Sequence, residues 1–297
     1  MINTRLIKCS LKLLTFTALI LLSGCSLEYF TLADSKGPIS SASTRLILVS
    51  FLIMLIIVIP VIIMSIWFPY ANREGRKGGV KYMPNWEHSN IIEIIVWAVP
   101  VLIIIVLGVI TYYTSYSLDP RKPIESDKDP LVIQVVALDW KWLFIYPEYE
   151  IATINEISVP VDTPLEFLVT SDTVMNSFFI PQLGSQIYAM SGMENRLYLL
   201  AEEEGTYRGI SSNYSGFGFS GMTFDAIATT DEGFQAWVDE VKSAPEELTD
   251  DVMKSLREKS RDVPPRYFAS VNPLLFNNVI ERFTTAQQTY TKTRSEH

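Results

Sequence analysis

Cysteine and histidine are almost missing from this sequence. Its 297 residues include two cysteines, Cys9 and Cys25, and two histidines, His88 and His297. Both cysteines lie close to the N-terminus, so neither a disulfide framework nor a CxxC metal motif can be built from them. Two histidines so far apart are too few for axial haem ligation plus a copper site. Basic residues are also in short supply, 24 Lys+Arg against 33 Asp+Glu. That balance excludes nucleic acid as a partner, because phosphate binding needs clustered Lys and Arg. No internal repeat or low-complexity tract is present.

Apolar residues are plentiful but unevenly placed. The first 113 positions hold 9 Lys+Arg and 5 Asp+Glu, net +4, and the remainder holds 15 and 28, net −13. The chain therefore divides into a membrane part and an acidic, water-soluble part. Arg5, Lys8 and Lys12 precede an apolar run over 13–22 that is too short to span a bilayer and has the layout of a signal peptide. The run ends in Leu22-Ser23-Gly24-Cys25, which resembles a bacterial lipobox. It predicts a leader over 1–24 and diacylglycerol on the thiol of Cys25, with Cys9 discarded.

Two longer runs, 46–68 and 91–113, are each long enough to cross a hydrocarbon core of about 30 Å. Pro60 and Pro100 interrupt them tolerably, and Trp67, Tyr70, Trp97, Tyr112 and Tyr113 suit the interfacial zones. Between the runs, Arg73, Arg76, Lys77 and Lys81 make a basic loop, cytoplasmic under the positive-inside rule. The expected topology over 25–118 is a lipid-anchored hairpin in the bacterial inner membrane, with both mature ends in the periplasm. Glu93, an ionisable group at a membrane boundary, is a functional candidate by default; His88 just before it reads as exposed loop.

A linker over 119–130 leads into short β-rich segments at 131–138, 140–146, 156–160, 164–170, 196–200, 207–211 and 222–229. Their alternation and turn punctuation predict a Greek-key β-sandwich over 119–230. Phe234, Trp237, Val238 and Val241 then fall at helical spacing after Asp231, and Thr249 is placed to cap another helix. Residues 231–297 are therefore expected to form a helical appendage and tail.

The motifs Asn176-Ser177-Phe178-Phe179-Ile180-Pro181 and Gly205-Thr206-Tyr207-Arg208-Gly209, continuing through 211–216 to Met222, resemble the cupredoxin-type domain of haem-copper oxidase subunit II. In the cytochrome c-oxidising branch of that family the domain holds a dinuclear copper centre. Its ligands run Cys, Glu two later, Cys four later, His four after that and Met three further, with another His upstream. On this sequence Asn176 takes the first histidine place, Ser211 and Ser215 the cysteine places, Asn213 the glutamate place and Phe219 the second histidine place. Met222 alone is retained, and reads as a core methionine.

Asp139-Trp140-Lys141-Trp142, Gly184-Ser185-Gln186-Ile187-Tyr188 and the arm from about Asp231 to Phe283 extend the resemblance to the quinol-oxidising branch, in particular the bo-type ubiquinol oxidases. That resemblance implies a structural subunit of a proton-pumping quinol:oxygen oxidoreductase. It implies no cofactor in this chain, haem and copper in a partner large subunit (subunit I), further oxidase subunits and membrane lipid as partners, and no cytochrome c. It places Glu93 where family members supply a carboxylate at the mouth of a proton pathway. Trp140 and Trp142 read as packing or interface residues. A different reading is a free-standing lipoprotein that uses a copper-free cupredoxin fold as a binding or assembly module.

Overall fold

The computed structural model describes residues 34–73 and 87–284. The predicted leader, Cys25, most of the basic loop and His297 lie outside them. The described residues divide into two compact units, 42–122 and 34–41 with 123–284.

In the first unit, helix α1 (Pro38–Ala71) and helix α2 (Asn90–Ser117) are both long and apolar enough to cross a membrane. Ile, Leu, Val and Phe side chains are exposed along both, the surface expected of helices solvated by lipid. Both extend beyond the expected spans. Hydropathy marks only the lipid-crossing stretch, while nothing in 38–45 or 114–117 breaks a helix; Pro38 sits in the first turn, where its missing N–H costs nothing. Asn72 closes α1 by directing its backbone N–H and its Nδ2 to the carbonyl of Phe68, at 2.9 and 3.0 Å.

The second unit is built on two sheets. Strands β1 (Leu131–Leu138), β2 (Lys141–Tyr146), β3 (Ile151–Ile154), β5 (Leu165–Ser171), β8 (Asn195–Leu199) and β11 (Arg266–Phe268) form one, in the order β11-β3-β2-β1-β5-β8. Strands β4 (Glu156–Pro160), β6 (Asn176–Phe179), β7 (Gln186–Ala189), β9 (Gly205–Ser211) and β10 (Thr223–Thr229) form the other, in the order β4-β10-β9-β6-β7. The β1–β5 and β4–β10 pairs are parallel and the rest antiparallel. An aromatic cluster fills the space between the sheets: Phe178 stacks on Phe224 at 5.1 Å and meets Trp142 and Phe167 at 5.4 and 5.0 Å.

The C-terminal arm is helical, as expected, and is packed onto the sandwich. Helix α3 (Asp231–Lys242) is capped by Thr230, whose hydroxyl accepts from the N–H of Gly233, and it buries Phe234, Trp237, Val238 and Val241 in the main core. Beyond it, helix α4 (Asp250–Leu256), capped by Thr249, and a last helix α5 over 275–284 cover the outer face of the six-stranded sheet, to which the arm also adds the edge strand β11. Leu248, Met253, Leu256, Phe268, Leu275, Phe276 and Val279 pack there on Val136, Leu138, Leu143 and Ile145. This third layer explains why all of β2 is buried: a strand covered on both faces needs apolar residues at nearly every position.

A strap from 34 to 40 docks on the same unit. The N–H of Lys36 donates to the carbonyl of Gln182 at 2.8 Å, and the carbonyl of Lys36 accepts from Glu202 at 3.0 Å. Ser40 Oγ donates to the Gln182 carbonyl at 2.7 Å. Gly37 passes so close that a Cβ would collide with the carbonyl oxygen of Leu200 and lie 2.9 Å from that of Leu183. Because both obstacles are backbone, Gly37→Val is expected to cost about 1–3 kcal/mol, read as a lower thermal midpoint of the detergent-solubilised protein. An unchanged midpoint would mean the strap is not packed there.

Candidate functional site

The positions that resemble copper ligands gather at one end of the five-stranded sheet. Asn176 opens β6, Ser211 ends β9, and Phe178 of β6 lies opposite Ser211 in the ladder. Asn213 and Ser215 follow in the connecting loop, Phe219 begins a single 3₁₀ turn, and Met222 precedes β10.

The side chains at this end bond mainly to one another and to backbone. Ser211 Oγ donates to Asn176 Oδ1 at 3.3 Å, and Asn176 Nδ2 donates to the carbonyl of Val174 at 2.9 Å. Asn213 Nδ2 donates to the carbonyl of Met175 at 2.9 Å. The N–H of Ser211 donates to the Met222 carbonyl at 3.1 Å, and Met222 is buried. Ser215 Oγ is buried without a hydrogen-bond partner, and the Phe219 ring lies edge-on to Tyr214 at 5.7 Å. The fold thus brings Asn176, Ser211 and Met222 together in the interior and sets Asn213, Ser215 and Phe219 around them.

These residues do not fit a dinuclear copper centre. Such a centre needs thiolates and imidazoles; here the places carry neutral amides, hydroxyls and a phenyl ring, and a hydroxyl is a poor ligand at neutral pH. The buried Asn176 and Ser211 hold each other, as buried polar groups must.

The loop is braced from outside. Trp140 adopts a left-handed backbone (φ 65°) and so precedes β2 rather than starting it, turning its half-buried ring under the loop. Its Nε1 donates to the Ser215 carbonyl at 3.2 Å. Gly218 accommodates the ring, since a Cβ there would overlap it. The arm supplies the second brace: Lys259 Nζ stands 5.8 Å from the Trp140 ring centre, Arg261 Cζ is 4.7 Å from that of Phe217, and the Asp262 carboxylate lies against Gly221.

Lys141 anchors that arm segment. Its Nζ, buried beside the sheet, donates to the Glu258 carbonyl at 2.8 Å and to Ser260 Oγ at 2.5 Å. Behind it, buried Asp172 takes Arg257 Nε at 2.7 Å and Arg282 Nη2 at 2.8 Å. Sequence reasoning passes over Asp172, Arg257, Lys259, Arg261 and Arg282. The charge run 257–262 is a sequence signal for Arg257, Lys259 and Arg261; Asp172 and Arg282 lie outside it.

Of the other predicted residues, Glu93 lies in the first turn of α2, exposed, with its N–H donating to the Ser89 carbonyl at 2.9 Å. His88 is exposed before that helix. Trp142 is fully buried in the aromatic core, whereas Trp140 is the bracing residue.

Burial pushes the Lys141 ammonium below its ordinary 10.5, with the Asp139 carboxylate opposing. Between the lowered value and 10.5 the unfolded chain keeps a proton that the folded chain has released, so stability rises with pH across that window. Lys141→Met is expected to remove this rise. Denaturation midpoints from neutral pH to pH 10.5 should shift in favour of the wild type as pH increases; a difference independent of pH would count against the buried ammonium.

Comparison with known proteins follows the same division. Residues 146–228 match the family model described as cytochrome C oxidase subunit II, periplasmic domain, and residues 242–287 match the COX aromatic rich motif. The cytochrome bo(3) ubiquinol oxidase subunit 2 of Pseudomonas aeruginosa is 51% identical over 92% of this chain and 82% of its own length. The ubiquinol oxidase subunit 2 of Acetobacter aceti is 49% identical over 89% and 85%, and the quinol oxidase subunit 2 of Bacillus subtilis is 38% identical over 82% and 76%. Among solved structures, the periplasmic domain of subunit II of cytochrome oxidase from Bradyrhizobium japonicum aligns with a TM-score of 0.37 at 24% identity, covering 39% of this chain and 94% of that one.

Proposed function

This chain belongs to the ubiquinol oxidase subunit 2 family, and from that membership we propose that it is the two-helix subunit of a proton-translocating quinol:oxygen oxidoreductase, structural within the complex and without chemistry of its own. The observation that carries the reading is the set of former ligand positions, where Asn176 and Ser211 are bonded to each other and no thiolate or imidazole remains. A water-soluble donor needs a metal in this domain to receive its electrons. A quinol is dissolved in the bilayer and delivers to haem in the membrane, so a subunit serving it can lose that metal and keep the scaffold. Haem and copper then reside in the large subunit, and cytochrome c is not a donor.

The leader over 1–24 is removed and Cys25 is lipidated, so the mature chain is held in the inner membrane by acyl chains and by α1 and α2, its sandwich in the periplasm. The lipobox and the basic loop support this reading. Purification of the tagged chain in mild detergent should bring a haem-bearing partner, quinol oxidation without cytochrome c oxidation, and no copper beyond that of the oxygen site. The intact mass should correspond to a chain starting at an acylated Cys25. A lone, haem-free protein would favour the binding-module reading; copper in excess with cytochrome c activity would sink the ligand argument.

Glu93 supplies a carboxylate for proton uptake from the cytoplasmic side. Its exposure in the first turn of α2 leaves it free for a partner helix or water. Glu93→Ala is expected to slow quinol oxidase turnover severalfold with subunit stoichiometry and haem content intact. Wild-type turnover in a fully assembled complex would reject the role.

A further inference from the structure

Helices α1 and α2 each carry a single charged side chain, Arg45 in the one and Glu93 in the other. Glu93 lies at the border read above as cytoplasmic. Arg45 stands at the opposite border, immediately before the apolar run that starts at Leu46. Arg45 to Phe68 and Glu93 to Tyr116 are runs of equal length, about 34 Å at about 1.5 Å per residue. Each therefore crosses a hydrocarbon core of about 30 Å with little to spare. On α2 the outer border is marked by Tyr112, which meets Tyr113 at 5.5 Å and Tyr116 at 5.3 Å, all three 61 to 70% exposed. On α1 it is marked by Arg45.

The Arg45 guanidinium is exposed, and among the described residues it forms no ion pair, hydrogen bond or ring contact. Arginine keeps its charge at any ordinary pH, so a place at the edge of hydrocarbon calls for a counter-charge from outside the chain. The outer end of α2 holds no carboxylate, and Asp119 beyond it accepts from the backbone N–H of Arg121 at 2.9 Å. Membrane insertion does not explain the residue, because a cation on the outer flank works against the bias set by the basic loop. Its direction is informative. Helical Cα–Cβ bonds lean toward the N-terminus, so the side chain leans outward, over the small residues Ser41 and Ala42 one turn before it. One and two turns after it, on the same face, Leu48, Val49 and Leu52 are exposed.

We propose that Arg45 binds the phosphate of an anionic phospholipid in the outer leaflet, whose acyl chains lie along Leu48, Val49 and Leu52; the inference rests on the topology proposed above. The planar guanidinium takes two phosphate oxygens at once. A phospholipid presents that phosphate at the depth where the apolar run begins and hydrocarbon where it continues, so one molecule meets both halves of this face. An anionic headgroup gains more than a zwitterionic one, because no ammonium of its own neutralises the phosphate. The short side chains of Ser41 and Ala42 leave the headgroup room above the guanidinium.

The test uses the full chain, tagged and purified in mild detergent with whatever it assembles with. The sample is stripped of loosely held lipid and titrated with phosphatidylglycerol or phosphatidylcholine under native mass spectrometry. Arg45→Gln is expected to weaken the tightest phosphatidylglycerol binding about fivefold, the equivalent of about 1 kcal/mol for one cation at an anionic surface. Phosphatidylcholine binding should change less, and haem per chain and thermal midpoint should not change. Arg45→Lys, a charge without the fork, should fall between; Arg121→Gln, an exposed cation beyond the run, should bind like the wild type. Undiminished binding by Arg45→Gln, an equal loss in Arg121→Gln, or displacement of the lipid by inorganic phosphate would overturn the proposal. So would loss of haem from Arg45→Gln, which would make the counter-charge a carboxylate of another subunit. Arg45→Cys tests the topology separately, by labelling with a membrane-impermeant maleimide above the wild-type background. Labelling from the periplasm is expected, and labelling from the cytoplasm would instead overturn the topology on which the inference stands.

Discussion

A carboxylate with no exposed surface organises the second unit. The Asp172 side chain is fully buried, and a charge so placed is tolerated only with close partners. Both are arginines of the arm, Arg257 after α4 and Arg282 in α5, at 2.7 and 2.8 Å. Leaving such a charge unpaired costs about 3–5 kcal/mol, a large share of a domain's net stability. The arm is therefore bound at two points to the end of β5, and everything it carries is fixed with it: the apolar layer over the outer sheet face, and the segment 257–262 that reaches the loop between β9 and β10. Lys141, buried under that segment, adds a third tie from the sheet side.

That fixation matters because the loop from Ser211 to Met222 carries no thiolate or imidazole with which a metal could cross-link it. A bound ion ties residues from distant positions at one point. In its place several weaker contacts act together. The Asn176–Ser211 bond holds the loop from inside, Trp140 lies beneath Gly218 and bonds to Ser215, and Arg261 and Asp262 press from outside. A single neutral hydrogen bond contributes about 0.5–1.5 kcal/mol and a partly exposed cation–π contact about 0.5–1 kcal/mol, so holding a loop without metal takes a set of them. The arm is part of that set, which gives it a role beyond covering an apolar face.

The sequence discloses this architecture selectively. Hydropathy finds both membrane helices because lipid imposes a long apolar run, but not their ends, which backbone geometry sets. Strands β1, β4, β5 and β10 are legible from alternation or β-branched runs. Strand β3 (Ile-Ala-Thr-Ile) is short and buried at every residue, so it has no alternation to detect, while β6 and β7 lie within stretches that stand out by motif rather than by period. The spacing of the ligand positions is legible because it is local chain order. That Asn176 and Ser211 touch, 35 residues apart, depends on strand pairing. The Asp172 clamp spans 85 and 110 residues, and no composition or period foretells it. The arm reads as an appendage for the same reason: its amphipathic helices announce an apolar face without naming what covers it.

The absences that open the sequence become consistent once the layers are in place. With no cysteine or histidine at the positions that resemble copper ligands, the residues there lack the thiolates and imidazoles that a dinuclear copper centre needs. Two stretches without charge, 173–193 and 209–224, stand apart from the acidic remainder, adjacent only because β6 pairs with both β7 and β9. The Met and Tyr side chains there are exposed, while polar groups between them are bonded within the chain. The positions that resemble copper ligands lie on the same two stretches, so the bond between Asn176 and Ser211 and the pairing of β6 with β9 hold one and the same surface.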